Sequence, residues 1–137
     1  MRRILLIASL GAVVAVPAGA LASSGSKQVR VTDCNKARYK PQTIVLACGD
    51  GNMFLTKMKW SHWSQSQASG SGVYADNTCQ PSCASGKLVR VDATVTLSKP
   101  IHCKHASQEV FDQTNVRYHP RAGHTSRQTF TLGCPMK

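Results

Sequence analysis

The chain has 137 residues, with 17 Lys and Arg against 6 Asp and Glu, for a formal net charge of +11. That length accommodates one domain rather than two, and Glu109 is the sole glutamate beside five aspartates, which leaves little acidic machinery for catalysis. The charge excess favours polyanions as neighbours and says nothing about the fold.

Met1-Arg2-Arg3 is a short positive segment, residues 4–16 are apolar, and residues 17–22 (PAGALA) end in the Ala-x-Ala pattern that signal peptidase accepts. The apolar run falls short of the ~20 residues that cross a bilayer. The sequence predicts an export signal over 1–22, cleaved after Ala22, and hence a secreted or cell-envelope-associated product. A loose N-terminal arm is expected over 23–33, followed by a single β domain over 34–137.

Lys36, Arg38 and Lys40 alternate with Ala37 and Tyr39, so an extended chain would carry them on one cationic edge. Residues 43–47 (TIVLA) form a short β-rich run that stops at Cys48 and Gly49-Asp50-Gly51-Asn52. A calcium loop needs several oxygen ligands at alternating positions, whereas Asp50 stands alone with Lys57 and Lys59 downstream. A phosphate loop needs a helix after it, and a strand-like run follows instead. Asp-Gly between two such runs predicts a hairpin corner.

In residues 53–63, Phe54, Met58 and Trp60 share one phase, while Lys57, Lys59 and Ser61 share the other. Strict alternation puts Trp63 on the lysine face, unless the strand ends or bulges first. A tryptophan among outward cations can stack on a sugar ring, a base or a lipid headgroup. The competing reading tucks Trp63 beneath residues 64–72 (SQSQASGSG), a polar segment read as a flexible loop, with the lysines keeping the sheet soluble.

Val89, Val91, Ala93, Val95 and Leu97 occupy every second position, the pattern of a half-buried strand. Val116 with Tyr118, and Phe130 with Leu132, repeat that alternation. Residues 106–112 are the nearest helical candidate, too short to prefer over strand. Turn signals fall at 49–52, 69–72, 85–86, 98–100 and 119–123. The fold class that follows is all-β: a small disulfide-stabilised antiparallel sandwich or barrel of six to seven strands.

Six cysteines, Cys34, Cys48, Cys79, Cys83, Cys103 and Cys134, all follow the predicted signal. An even number behind an export signal points to disulfides rather than metal thiolates. Spacing alone leaves the pairing open. Proximity to predicted strand ends favours Cys34 with Cys48, Cys79 with Cys83 and Cys103 with Cys134. Each bridge is worth about 2–4 kcal/mol in a domain of this size.

Chemistry-bearing clusters are sparse. His102-Cys103-Lys104-His105 would hold only two imidazoles once Cys103 is oxidised, short of a zinc set, so neither a metal nor another cofactor is expected. His119 and His124 flank a turn that also carries Arg121 and Arg127, and read as solvated loop residues. No Gly-x-Ser-x-Gly elbow is present. An improvised hydrolase built on Asp92 with Glu109 or Asp112, together with His119, is a minority reading, and no catalytic residue is assigned.

The preferred reading is a monomeric, non-catalytic binding protein for an anionic polymer or envelope surface, or for a protein partner; nucleic acid would be held only non-specifically. Its contact set is Lys36, Arg38, Tyr39, Lys40, Lys57, Lys59 and Trp63. An inhibitor or effector presenting residues 64–72 or 119–127 to a protein target is the alternative.

The stretch from Cys34 to Asn52 (CNKARYKPQTIVLACGDGN), then Trp60-Ser61-x-Trp63, the Cys79-x-x-x-Cys83 turn and the closing Phe130-Thr131-Leu132-x-Cys134-Pro135 resemble a group of small secreted actinobacterial proteins. The resemblance spans most of the chain beyond the signal. It implies export and an all-β disulfide domain, and brings no active site with it.

Overall fold

Alternating β-branched and aromatic residues favour extended chain over helix. The computed structural model of the protein describes residues 27–121 and 124–136, and every regular element among them is a strand. In chain order these are β1 (Arg30–Asp33), β2 (Lys36–Arg38), β3 (Ile44–Val45), β4 (Met53–Trp63), β5 (Ala68–Asn77), β6 (Leu88–Cys103), β7 (Gln108–Arg121) and β8 (His124–Thr131). They form one sheet in the order β2-β1-β7-β6-β5-β4-β3, with β8 also paired to β7. β7 is long enough to serve two partners on one side: β1 lies parallel against Val110 and Phe111, and β8 runs antiparallel from Gln113 onward. The all-β, disulfide-stabilised class is as predicted, in the form of a sheet curled into a half-barrel. The predicted signal over 1–22 lies outside the described residues, as do Ala122 and Gly123 of the predicted turn at 119–123.

Three local expectations are corrected. Residues 98–100 are not a turn: β6 runs through them, and Lys99 takes φ 55° while Ser98 and Pro100 keep their partners Gln113 and Phe111. Residues 68–72 are not loop but the start of β5, and the reversal is confined to the residues before Ala68. There the Ser64 N–H and hydroxyl both donate to the Gln67 carbonyl at 2.8 Å, and Ser64 Oγ accepts from the Gln67 N–H at 3.1 Å. Residues 29–33 do not belong to a loose arm. Val29 and Val31 are buried at 1% and 0% exposure, because β1 must cover the edge of β7 that β8 leaves open.

The GDGN corner is a corner. The Gly51 N–H donates to the Ala47 carbonyl at 2.9 Å, the Asn52 N–H donates to Asp50 Oδ1 at 3.1 Å, and Gly51 takes φ +66°. Leu46 N–H then donates to the Met53 carbonyl at 2.9 Å, closing the β3–β4 hairpin. Accepting those Asn52 bonds holds the Asp50 carboxyl below its ordinary range. Its oxygens are thus engaged in shaping the turn.

The core lies on the concave side of the curl: Val29, Val31, Ile44, Leu55, Met58, Tyr74, Val95, Leu97, Phe111 and Val116, with Trp60 and Trp63 packed at its margin. Each such side chain, fully buried, is worth about 1.5–3 kcal/mol. Bridges reinforce this modest interior: Cys34–Cys48, Cys79–Cys83 and Cys103–Cys134, the pairing expected from strand ends. The first joins the segments after β1 and β3, at opposite ends of the sheet order, where Asp33 Oδ1 also accepts the Val45 N–H at 3.2 Å. The third ties the end of β6 to the chain after β8.

Candidate anion-binding face

The convex face of the sheet is built by register. Lys59 pairs Ser71, Ser71 pairs Thr94, Thr94 pairs Arg117 and Arg117 pairs Arg127, a straight row across β4, β5, β6, β7 and β8. All five are exposed. With neighbouring strands about 4.8 Å apart, the row is roughly 19 Å wide. Its middle positions are small, so the floor is low and the ends are high. A groove of about 440 Å³ results, floored by Ser71, Gly72, Val73, Ala93 and Thr94 and flanked by Lys57 and Lys59 on one side and Arg117 and His119 on the other. Asp92 is the one carboxylate in its lining.

A second hollow, again of about 440 Å³, adjoins the first and shares Thr94 and Arg117 with it; Thr96, Asn115, Val116 and Arg127 complete it. The single ion pair found among the described residues is elsewhere, between Arg38 Nε and Asp33 Oδ2 at 3.2 Å. None of the cations of this face is in ion-pair contact with a carboxylate among the described residues, and Asp92 alone offsets their field in the groove.

The predicted contact set divides. Lys57 and Lys59 stand on the convex face as expected, but their companions there are Arg117, His119 and Arg127, whose place on that face comes only from strand pairing. Lys36 and Arg38 lie exposed on β2, where Asp33 holds Arg38. Lys40 takes φ 47° and leaves the strand, with Nζ 5.3 Å from the centre of the Tyr39 ring. The expected continuous cationic edge thus ends at Arg38.

Trp63 is the clearest departure. β4 carries two bulges, between Thr56 and Lys59 and between Trp60 and His62, and each inserted residue reverses the phase of alternation. Leu55, Met58, Trp60 and Trp63 consequently share the concave side, and Phe54, expected with Met58 and Trp60, pairs Ala75 on the convex one. Trp63 packs edge-on against Trp60, Tyr39 and Phe111 with centroids 4.8, 5.2 and 5.7 Å away. Its Nε1 donates to the Val29 carbonyl at 2.9 Å, and Trp60 Nε1 donates to the Pro41 carbonyl at 2.9 Å. Both indoles are committed to clasping the 29–41 segment onto the sheet, so Trp63 does not share the lysine face.

Of the carboxylates considered for a hydrolase, Asp92 and Glu109 stand far apart. Asp92 of β6 pairs Val73 of β5, whereas Glu109 of β7 pairs His102, about ten residues further along β6 and roughly 30 Å away. His119 does line the Asp92 groove, and its Nδ1 is 3.0 Å from Thr125 Oγ1. Cys103 of the His102–His105 cluster is oxidised, with both imidazoles exposed around it. Of the two segments considered for presentation to a protein target, residues 68–72, 119–121 and 124–127 are strand, so neither is the open loop expected.

No helix among the described residues is long and apolar enough to cross a membrane. Compared with family models, curated proteins and solved structures, the chain matches none.

Proposed function

We propose that this is a secreted, non-catalytic binding protein that holds an anionic polymer of the cell envelope against the convex face of its sheet. The observation that carries the reading is the convergence of Lys57, Lys59, Arg117 and Arg127 from three separate strands around contiguous grooves with one carboxylate. Such an arrangement concentrates positive potential over a shallow, elongated surface, which suits a flexible chain of charges better than a small molecule needing enclosure. Beyond the predicted signal, which removes Arg2 and Arg3, 15 Lys and Arg stand against 6 Asp and Glu, and this net charge of +9 adds a long-range attraction of the same sign. Three disulfides keep the face rigid without a large core, lowering the ordering cost of binding.

Binding of a soluble acidic polymer, inorganic polyphosphate, measured over a range of salt concentrations tests this. The logarithm of the binding constant should fall linearly with log salt, as counterion release requires, and each cation removed in Lys57→Gln, Lys59→Gln and Arg127→Gln should reduce the slope by about one. Lys104→Gln, at an exposed lysine between β6 and β7, should leave the slope nearly unchanged. Retention that is equal at low and high salt would refute the proposal.

A further inference from the structure

Within that face, Arg117 and Arg127 are direct cross-strand partners. Like charges placed opposite each other on neighbouring strands destabilise a sheet, and here they are set together where neither has a carboxylate in ion-pair contact among the described residues. The surroundings of the pair are rich in hydrogen-bonding groups of the right kind. Thr94 and Thr96 line the same hollow, and Asn115 of β7, the partner of Thr96, lines it beside them. Thr129 Oγ1 donates to Asn115 Oδ1 at 2.8 Å, which engages the amide oxygen and leaves the amide NH₂ to donate outward. The hollow therefore offers two guanidinium groups, two hydroxyls and an amide donor, and its lining includes no carboxylate.

We infer that Arg117 and Arg127 form a two-armed fork for a tetrahedral oxyanion, a phosphoryl or sulfuryl group carried on the bound polymer. This deepens the proposed function and rests on it. The chemistry distinguishes anion types. A carboxylate has two coplanar oxygens, which one guanidinium satisfies bidentately. A sulfate ester presents three free oxygens, and a phosphodiester two free oxygens flanked by two ester oxygens, around a tetrahedral centre. One guanidinium can again take two of them, and the acceptor directions outside that plane are left for a second arm from the adjacent strand, with the Thr hydroxyls and the Asn115 amide as additional donors. The bound anion also cancels the repulsion between the two arginines, so binding and local stability reinforce each other. Arg117 lines both grooves, which places the fork at the point where a polymer lying along the Lys57–Lys59 side would cross it.

The test compares inorganic polyphosphate, dextran sulfate and poly-glutamate at one salt concentration, for the parent protein and for Arg117→Lys/Arg127→Lys. Lysine keeps both charges and removes the planar fork. The parent should prefer polyphosphate and dextran sulfate to poly-glutamate by about tenfold, the scale of one charge-assisted hydrogen bond. The double variant should lose most of that preference while its salt slope stays that of the parent. Unequal response to the two tetrahedral polymers would identify phosphoryl or sulfuryl as the group recognised. A preference that survives in the double variant reflects charge density alone and overturns the fork. Equal, salt-sensitive binding of all three polymers by the parent overturns it too, and leaves the proposed function standing; salt-insensitive binding of every polymer removes both. Both positions are exposed, and Arg127→Lys alone serves as the second variant, expected to lose part of the preference.

Discussion

Tyr74 shows how much one buried phenol can reveal. It is 2% exposed, stacks on Tyr118 with centroids 4.8 Å apart, and donates to Gln128 Oε1 at 3.1 Å. Gln128 Nε2 in turn donates to Tyr118 Oη at 2.8 Å, so one amide serves both rings. Burial foremost, with the charges of Asp76 and Tyr118 added, pushes the Tyr74 phenol up to about 12, against the pull of the Gln128 bond. In an unfolded chain the same phenol ionises near 10, about the ordinary tyrosine value. Because the folded value is the higher one, the neutral phenol favours the fold fully below about pH 10. That contribution is lost as pH rises towards about 12. Spectroscopic titration of tyrosinate should show a late phase, and Tyr74→Phe should remove it and flatten the loss of stability in that window. An unchanged late phase in the variant would assign it to another ring.

Among the elements, β4 decides the character of both faces. Each of its bulges is faced by a glycine of β5, and the reason is contact. A Cβ at Gly70 would lie 2.5 Å from the Lys59 carbonyl, and one at Gly72 would lie 2.5 Å from Met58 Sδ and 2.7 Å from the Thr56 carbonyl. Gly72→Ala is therefore expected to displace the first bulge and cost about 1–3 kcal/mol, the range for overpacking, measured as a lower urea midpoint. Gly49→Ala is the control: nothing lies within 4 Å of its Cβ position, so its midpoint should barely move. The two glycines are visible in the sequence as ASGSG, where they read as a flexible loop. Isolated glycines in a strand signal close backbone approach, and here that signal was present but outweighed by the polar composition around it. As partners of the two bulges, these glycines fix the phase of Trp63.

At the scale of the molecule, one clasp holds the curl. The Cys34–Cys48 bridge, the Asp33–Val45 hydrogen bond and the two indole N–H donations to Val29 and Pro41 draw the two ends of the sheet order together. Cys34→Ala/Cys48→Ala should cost about 2–4 kcal/mol, on the entropy of a loop of separation 14. Amide hydrogen exchange should quicken first in β1, β2 and β3, while the β5–β6 pair in the middle of the sheet stays protected. Uniform acceleration across all strands would mean that the bridge stabilises the molecule globally rather than as a local clasp.

Period-two alternation, turn residues and six cysteines were enough to determine an all-β disulfide domain and the GDGN corner, because each depends on residues close in the chain; the cysteine pairing was only favoured by strand ends, and the fold decided it. Tertiary pairing alone decided the rest. Whether Lys59 stands beside Arg117 depends on the register of four strands, and whether Trp63 looks outward depends on two inserted residues in β4. A side chain's face reverses with every single-residue slip, and nothing local to Arg117 or Arg127 records which residue of the next strand will be drawn up opposite it.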